Sequence, residues 1–288
     1  MANIDQAEGL RRLLERPKLR VLTFLSNLPE ADRNGMLINL SATLARQGKK
    51  TLMVDAKSTS DQDGIKQSSL GHWLNLKSDQ TLLDVVRQQR TMDFVVKQVS
   101  PGLSVTKIAH TLPHAKALSI ASYRELAKLF DLAASKSDVV VVDCELNGED
   151  QFVLSSFDDS EIMIQVSNDP DTIKSAYGLI KRINHRMGRR EFGIVVTGVK
   201  EEQAQLVFAN LSKTAKRYLA VELNLVGVVP EDAYLRRATQ LGRSVIDAFP
   251  LSKASQAFGR MADRLFSTAG ESVAWRHPAA ALGAQLEY

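Results

Sequence analysis

The sequence predicts a doubly wound α/β fold, with a mostly parallel central sheet flanked by helices in three layers. Three observations carry this. Near-continuous Val/Ile/Leu runs such as Asp138-Val139-Val140-Val141-Val142-Asp143 suit strands buried on both faces. Between such runs the apolar spacing turns helical, and repeated strand–helix alternation argues for one sheet with crossover helices. With 44% hydrophobic residues in 288, the chain can bury a substantial core, and it lacks a collagen-like, disordered or disulfide-framework signature.

The elements follow in order. In Ile4 to Arg16, Asp5 is placed to cap a short helix, and Glu8 completes a capping box three residues on. Ala7, Leu10 and Leu14 share one face, with Leu13 beside them, and Pro17 ends the run. Residues 1–18 thus precede a single α/β domain expected over 19–267. Strands are expected at Arg20–Leu25, Thr51–Asp55, Leu103–Ile108, Asp138–Asp143, Glu161–Val166, Gly193–Gly198 and Leu225–Val229. Helices are expected at Leu37–Arg46, Thr81–Gln89, Ser122–Ala134, Thr172–Arg186 and Glu201–Tyr218. Ser58 to Ser69 is polar without periodicity and reads as a surface loop. A last helix near Lys253–Phe266 puts Phe258, Met261, Ala262, Leu265 and Phe266 on one face. Its polar face carries both charge signs, which favours docking on the domain over lying on a membrane. Residues 268–288 read as a loosely held tail.

Composition excludes more than it identifies. A net charge of +4 permits anionic partners without naming one. The single Cys144 has no internal disulfide partner, which suits a reducing cytosol. Met1 to Arg20 is charged and lacks an apolar signal core, and no apolar run approaches the roughly 20 residues that span a bilayer. A cytoplasmic chain is the expectation. His72, His110, His114, His185 and His277 show no ligand-like spacing, so no metal site and no catalytic residue are assigned.

The stretch Leu25 to Gly35 holds the main functional question. It lies between an apolar run and a helical pattern, where a nucleotide-binding protein holds phosphates on backbone N–H groups. Ser26, Asn27, Leu28, Pro29, Glu30, Ala31, Asp32, Arg33 and Asn34 lack the glycines, lysine and hydroxyl that such a loop uses.

The order of elements resembles the MinD/ParA group of P-loop ATPases, and more narrowly its FlhG (FleN) members. Asp5-Gln6-Ala7-Glu8-Gly9-Leu10-Arg11 matches the DQAxxLR element of FlhG proteins. The resemblance implies that Asp5, Gln6, Ala7, Leu10 and Arg11 contact an FlhF-like, SRP-type GTPase. Asn39 to Lys50 resembles the group's first helix, and Val54-Asp55 ends the next strand as expected. Asp138 to Asp143 resembles the Walker B strand, and Ser175 to Lys181 and Val229 to Ala238 resemble later FlhG-like segments. The likeness covers roughly residues 5 to 266, and ATP and magnesium are the cofactors of related proteins.

The departures are concentrated where those cofactors bind. By spacing, Leu28 stands at the signature lysine, and Pro29, Glu30 and Asp32 stand at glycines. Arg33 stands at the Walker lysine and Asn34 at the magnesium-binding hydroxyl. Pro29 has no N–H to offer, and the Glu30 and Asp32 side chains obstruct close backbone approach. Like charges 4 Å apart repel by about 4 kcal/mol at an effective dielectric of 20, so both carboxylates also oppose a phosphate. The group's second strand-end carboxylate is Lys57, and Cys144-Glu145-Leu146-Asn147 replaces a switch-like turn after Asp143. Asp55 and Asp143 then read as remnant positions kept for local structure. Glu30 and Asp32 suit a helix N-terminus, with Asp32 or Asn34 as its cap.

No bound cofactor is therefore expected. The leading reading is an FlhG-like regulator of flagellar number, placement and assembly that acts by protein contact. Two alternatives stay open: an atypical weak ATPase using Arg33 and Asp143, and a ParA-like DNA binder. Against the latter, Arg182, His185, Arg186, Arg189 and Arg190 form only a short basic helix end without aromatic interleaving. A constitutive homodimer and peripheral membrane contact are left open.

Overall fold

A computed structural model describes residues 19–57, 70, 74, 80–110 and 119–266. The expected N-terminal helix, the polar loop Ser58 to Ser69 and the tail lie outside these. Eight strands form one sheet in the order β3-β4-β2-β5-β1-β6-β7-β8. They are β1 (Arg20–Leu25), β2 (Thr51–Ala56), β3 (Lys97–Ser100), β4 (Leu103–Lys107), β5 (Val139–Cys144), β6 (Glu161–Val166), β7 (Phe192–Thr197) and β8 (Leu223–Val229). Every pairing is parallel except β3 against β4.

Helices cover both faces. The described ones are α1 (Glu30–Arg46), α2 (Leu82–Val86), α3 (Met92–Val95), α4 (Ile120–Ala134), α5 (Pro170–Met187), α6 (Glu201–Leu219), α7 (Ala233–Gln240), α8 (Val245–Ala248) and α9 (Lys253–Phe266). One core packs Phe130 of α4, Ile180 of α5 and Leu211 of α6 onto alternate strand residues such as Val140 and Ile164. The other packs Leu37 and Leu40 of α1 and Phe258 and Met261 of α9 onto Leu22, Val141 and Met163. The alternation of Val139 and Val141 with Val140 and Val142 between the two cores follows the period-2 strand geometry. This is the three-layer architecture expected.

The last helix docks as read: Phe258, Met261, Ala262 and Leu265 are buried. In its last turn, the Leu265 carbonyl accepts from the Arg20 guanidinium, which also grips Glu161 at 2.6 and 2.7 Å. No described helix is long and apolar enough to cross a membrane.

Two local expectations change. The stretch Leu25 to Gly35 is mostly helix, because α1 begins at Glu30 rather than Leu37 and leaves only Ser26 to Pro29 between strand and helix. Pro29 occupies the N-cap position without a side-chain cap bond, so neither Asp32 nor Asn34 caps the helix; both lie inside it. Glu30 and Asp32 do sit in its first turn, where negative charge complements the helix dipole. The expected helix Thr81–Gln89 is shorter: Thr81 closes a capping box with Asp84, and α2 ends at Val86.

Candidate functional site

Parallel strands of this kind gather ligands at their carboxyl ends. Here that end brings together charged residues that are distant in sequence. Register pairs Lys107 of β4 with Asp55 of β2, and Asp55 with Asp143 of β5. Three adjacent strands therefore present a cation and two carboxylates side by side. Lys57, just past β2, and Arg33, in the first turns of α1, close over them.

Asp143 is the centre. It is fully buried, with Lys57 Nζ 2.8 Å from Oδ2 and Arg33 Nε 3.5 Å from Oδ1. Each carboxylate oxygen thus faces its own cation as an ion pair. Asp55, also buried, accepts from the Lys57 backbone N–H at 3.3 Å and faces Lys107 Nζ at 3.9 Å. Burial pushes the Asp143 carboxyl up to about 6, against the opposing pull of Lys57 and then Arg33, while Asp55 adds to the rise. Burial, then the charge of Asp143, drives the neighbouring Cys144 thiol far up. Cys144 is thus a buried, inert thiol.

The chain before α1 is committed internally. The N–H groups of Asp32 and Arg33 donate to the Pro29 carbonyl at 3.0 and 3.1 Å, so helix formation consumes them. Leu28, at the signature-lysine position, is 8% exposed, and its N–H donates to Ser26 Oγ at 3.2 Å. Asn34 is buried and donates from Nδ2 to Glu30 at 3.1 Å. Asn27, Pro29, Ala31 and Asp32 face solvent.

A magnesium-bound triphosphate does not fit this arrangement. It needs free N–H groups from the loop and a carboxylate available to the metal or its waters. Pro29 supplies no N–H, the two N–H groups that follow Ala31 are spent, and Asp143 is held by two cations. Among the described residues, no group of three or more His, Cys, Asp or Glu side chains is placed to hold a metal ion.

Sequence reasoning singled out Arg33, Lys57, Asp55 and Asp143 as substitutions or remnants but not as one ion-pair cluster. It missed Lys107, whose only signal was its place at the end of an expected strand. It also missed Gln165 on β6, which is buried and donates from Nε2 to the Asp32 carbonyl and to Thr197 Oγ1, both at 3.3 Å. That side chain ties the start of α1 to β6 and β7. Asp5, Gln6, Ala7, Leu10 and Arg11 lie outside the described residues.

No family model matches the chain. The antiactivator FleN of Pseudomonas aeruginosa is 29% identical over 236 residues, which is 82% of this chain and 82% of that protein. The septum site-determining protein MinD of Pyrococcus horikoshii, solved with Mg-ADP, matches with a TM-score of 0.63 at 18% identity, over 88% of this chain and 98% of that one. MinD of Aquifex aeolicus, from a MinC:MinD complex, matches with a TM-score of 0.63 at 21% identity, over 90% and 99%. The sheet order and the placement of the site at its carboxyl end are those of the fold shared with these MinD structures. In sequence the chain is similar to FleN over most of both chains.

Proposed function

We propose that the chain is an FlhG-like regulator of flagellar number, placement and assembly that works by protein contact and without ATP hydrolysis. The ion-pair cluster carries this reading: Lys57 and Arg33 already neutralise Asp143, the carboxylate that a magnesium–nucleotide complex would need. The positive charge a metal would bring is supplied by the chain itself. An atypical ATPase using Arg33 and Asp143 would first have to break that pairing.

The name of the Pseudomonas relative, an antiactivator, supports action on another protein, and the MinC:MinD complex shows the fold engaged with a protein partner. In this reading Asp5, Gln6, Ala7, Leu10 and Arg11 contact an FlhF-like GTPase.

GTP hydrolysis by an FlhF-like GTPase, measured with and without ATP, tests this. The full chain is expected to stimulate it equally in both conditions. Replacing Leu10 and Arg11 by alanine is expected to abolish stimulation while leaving the circular dichroism spectrum unchanged. A strict requirement for ATP contradicts the nucleotide-independent reading, and undiminished stimulation by the variant removes the role of the N-terminal element.

A further inference from the structure

The segment after β8 carries a surface that the cluster around Asp143 does not use. Large apolar side chains stay exposed there at Tyr234, Leu241 and Leu251, the last 88% exposed. Tyr234, Arg237 and Leu241 follow at i, i+3 and i+7 and so share one stripe of α7 and its end. The Phe249 ring lies 4.9 Å from that of Tyr234, with the Arg237 guanidinium 5.9 Å from the Phe249 centroid. Leu251 follows two residues later. Single exposed apolar residues are ordinary. Aromatic rings beside an arginine have the composition of interface anchors, and Leu251 adds exposed apolar area close by in the chain.

The free charge on this surface is positive. Glu231 is bridged by Arg236 and Asp247 by Arg46, each at 3.2 Å. Asp232 is occupied by the N–H groups of Tyr234 and Ala254. Arg237 has no ion pair among the described residues, and Arg243 reaches only the Asp247 backbone carbonyl at 3.3 Å. The unmet need is for carboxylates.

We propose that this surface docks an acidic, leucine-bearing helical segment of a partner protein. The partner's apolar side chains seat against Tyr234, Phe249 and Leu251, and its carboxylates meet Arg237 and Arg243. The inference rests on the reading that the chain acts by contact, and it names the face. An anionic lipid surface would meet the same arginines and is the alternative that vesicle sedimentation separates below.

Fluorescence anisotropy with two labelled peptides of about four helical turns tests the proposal. Both carry the same leucine spacing, one with glutamate and one with lysine at the other positions. The glutamate peptide is expected to bind the full chain. Leu251→Asp and Arg237→Glu are each expected to weaken it by about tenfold or more without changing the thermal midpoint, since both side chains are exposed. No binding of the glutamate peptide, equal binding of the lysine peptide, or unchanged binding by both variants overturns the docking site. So does sedimentation with phosphatidylglycerol-containing vesicles that Leu251→Asp abolishes. Mg-ATP calorimetry on the same samples separates the two claims. Heat there overturns the nucleotide-free reading alone, whereas silence there with no peptide binding overturns the surface alone.

Discussion

Lys57→Met removes the ammonium 2.8 Å from Asp143 and keeps most of the apolar stem. Its cost is expected to depend on pH, and the sign follows from Asp143. The folded carboxyl lies at about 6, above its ordinary 3.8, so the folded state holds its proton more tightly than the unfolded chain. Its contribution to stability is therefore greatest below about pH 4 and falls as pH rises toward 6. At about 1.4 kcal/mol per unit, the native protein already gives up roughly 3 kcal/mol above pH 6. Without Lys57 the carboxyl rises further and the decline continues. A rise of about two units, to 8, adds roughly 2 kcal/mol of loss at pH 8 and less than about a tenth at pH 5, where Asp143 is protonated either way. Urea unfolding followed by circular dichroism at pH 5 and pH 8 measures both. An equal loss at the two pH values, or none at pH 8, refutes the reasoning.

Other consequences follow from the same packing. Asp143→Asn leaves Arg33 and Lys57 with no carboxylate between them and is expected to cost about 3–5 kcal/mol, whereas Arg33→Met, Lys57→Met and Asp143→Leu combined should come near the wild type in urea. Gly227→Ala puts a Cβ 2.7 Å from Met261 Cε and 3.2 Å from its Cβ, so a loss of about 1–3 kcal/mol is expected, relieved in part by Met261→Ala. Asn39→Ala takes the acceptor from the Val245 N–H, held at 2.6 Å, and should cost about 1–3 kcal/mol with faster amide exchange at Val245.

The sheet was legible wherever strands are buried on both faces, because a run such as Val139–Val142 has no other comfortable place. The edge strand β3 was not: Lys97-Gln98-Val99-Ser100 is short, polar and partly exposed, and only its pairing with β4 makes it a strand. Similarly, α7 buries only Ala238, so its arginine-rich sequence gave no apolar stripe to read. The helical start at Glu30 escaped notice because spacing aligned those residues to a glycine-rich loop. Once the glycines are gone, ordinary side chains and a proline with its φ preset favour helix there. Each charged member of the cluster was visible singly. Their meeting was not, since it depends on the register of three strands and on a helix that begins about two turns early.

The central claim is that internal ion pairs have taken the place of a magnesium–nucleotide complex. Isothermal titration calorimetry of the full chain with Mg-ATP tests it most directly. No binding heat is predicted up to millimolar nucleotide, and micromolar affinity would contradict the account.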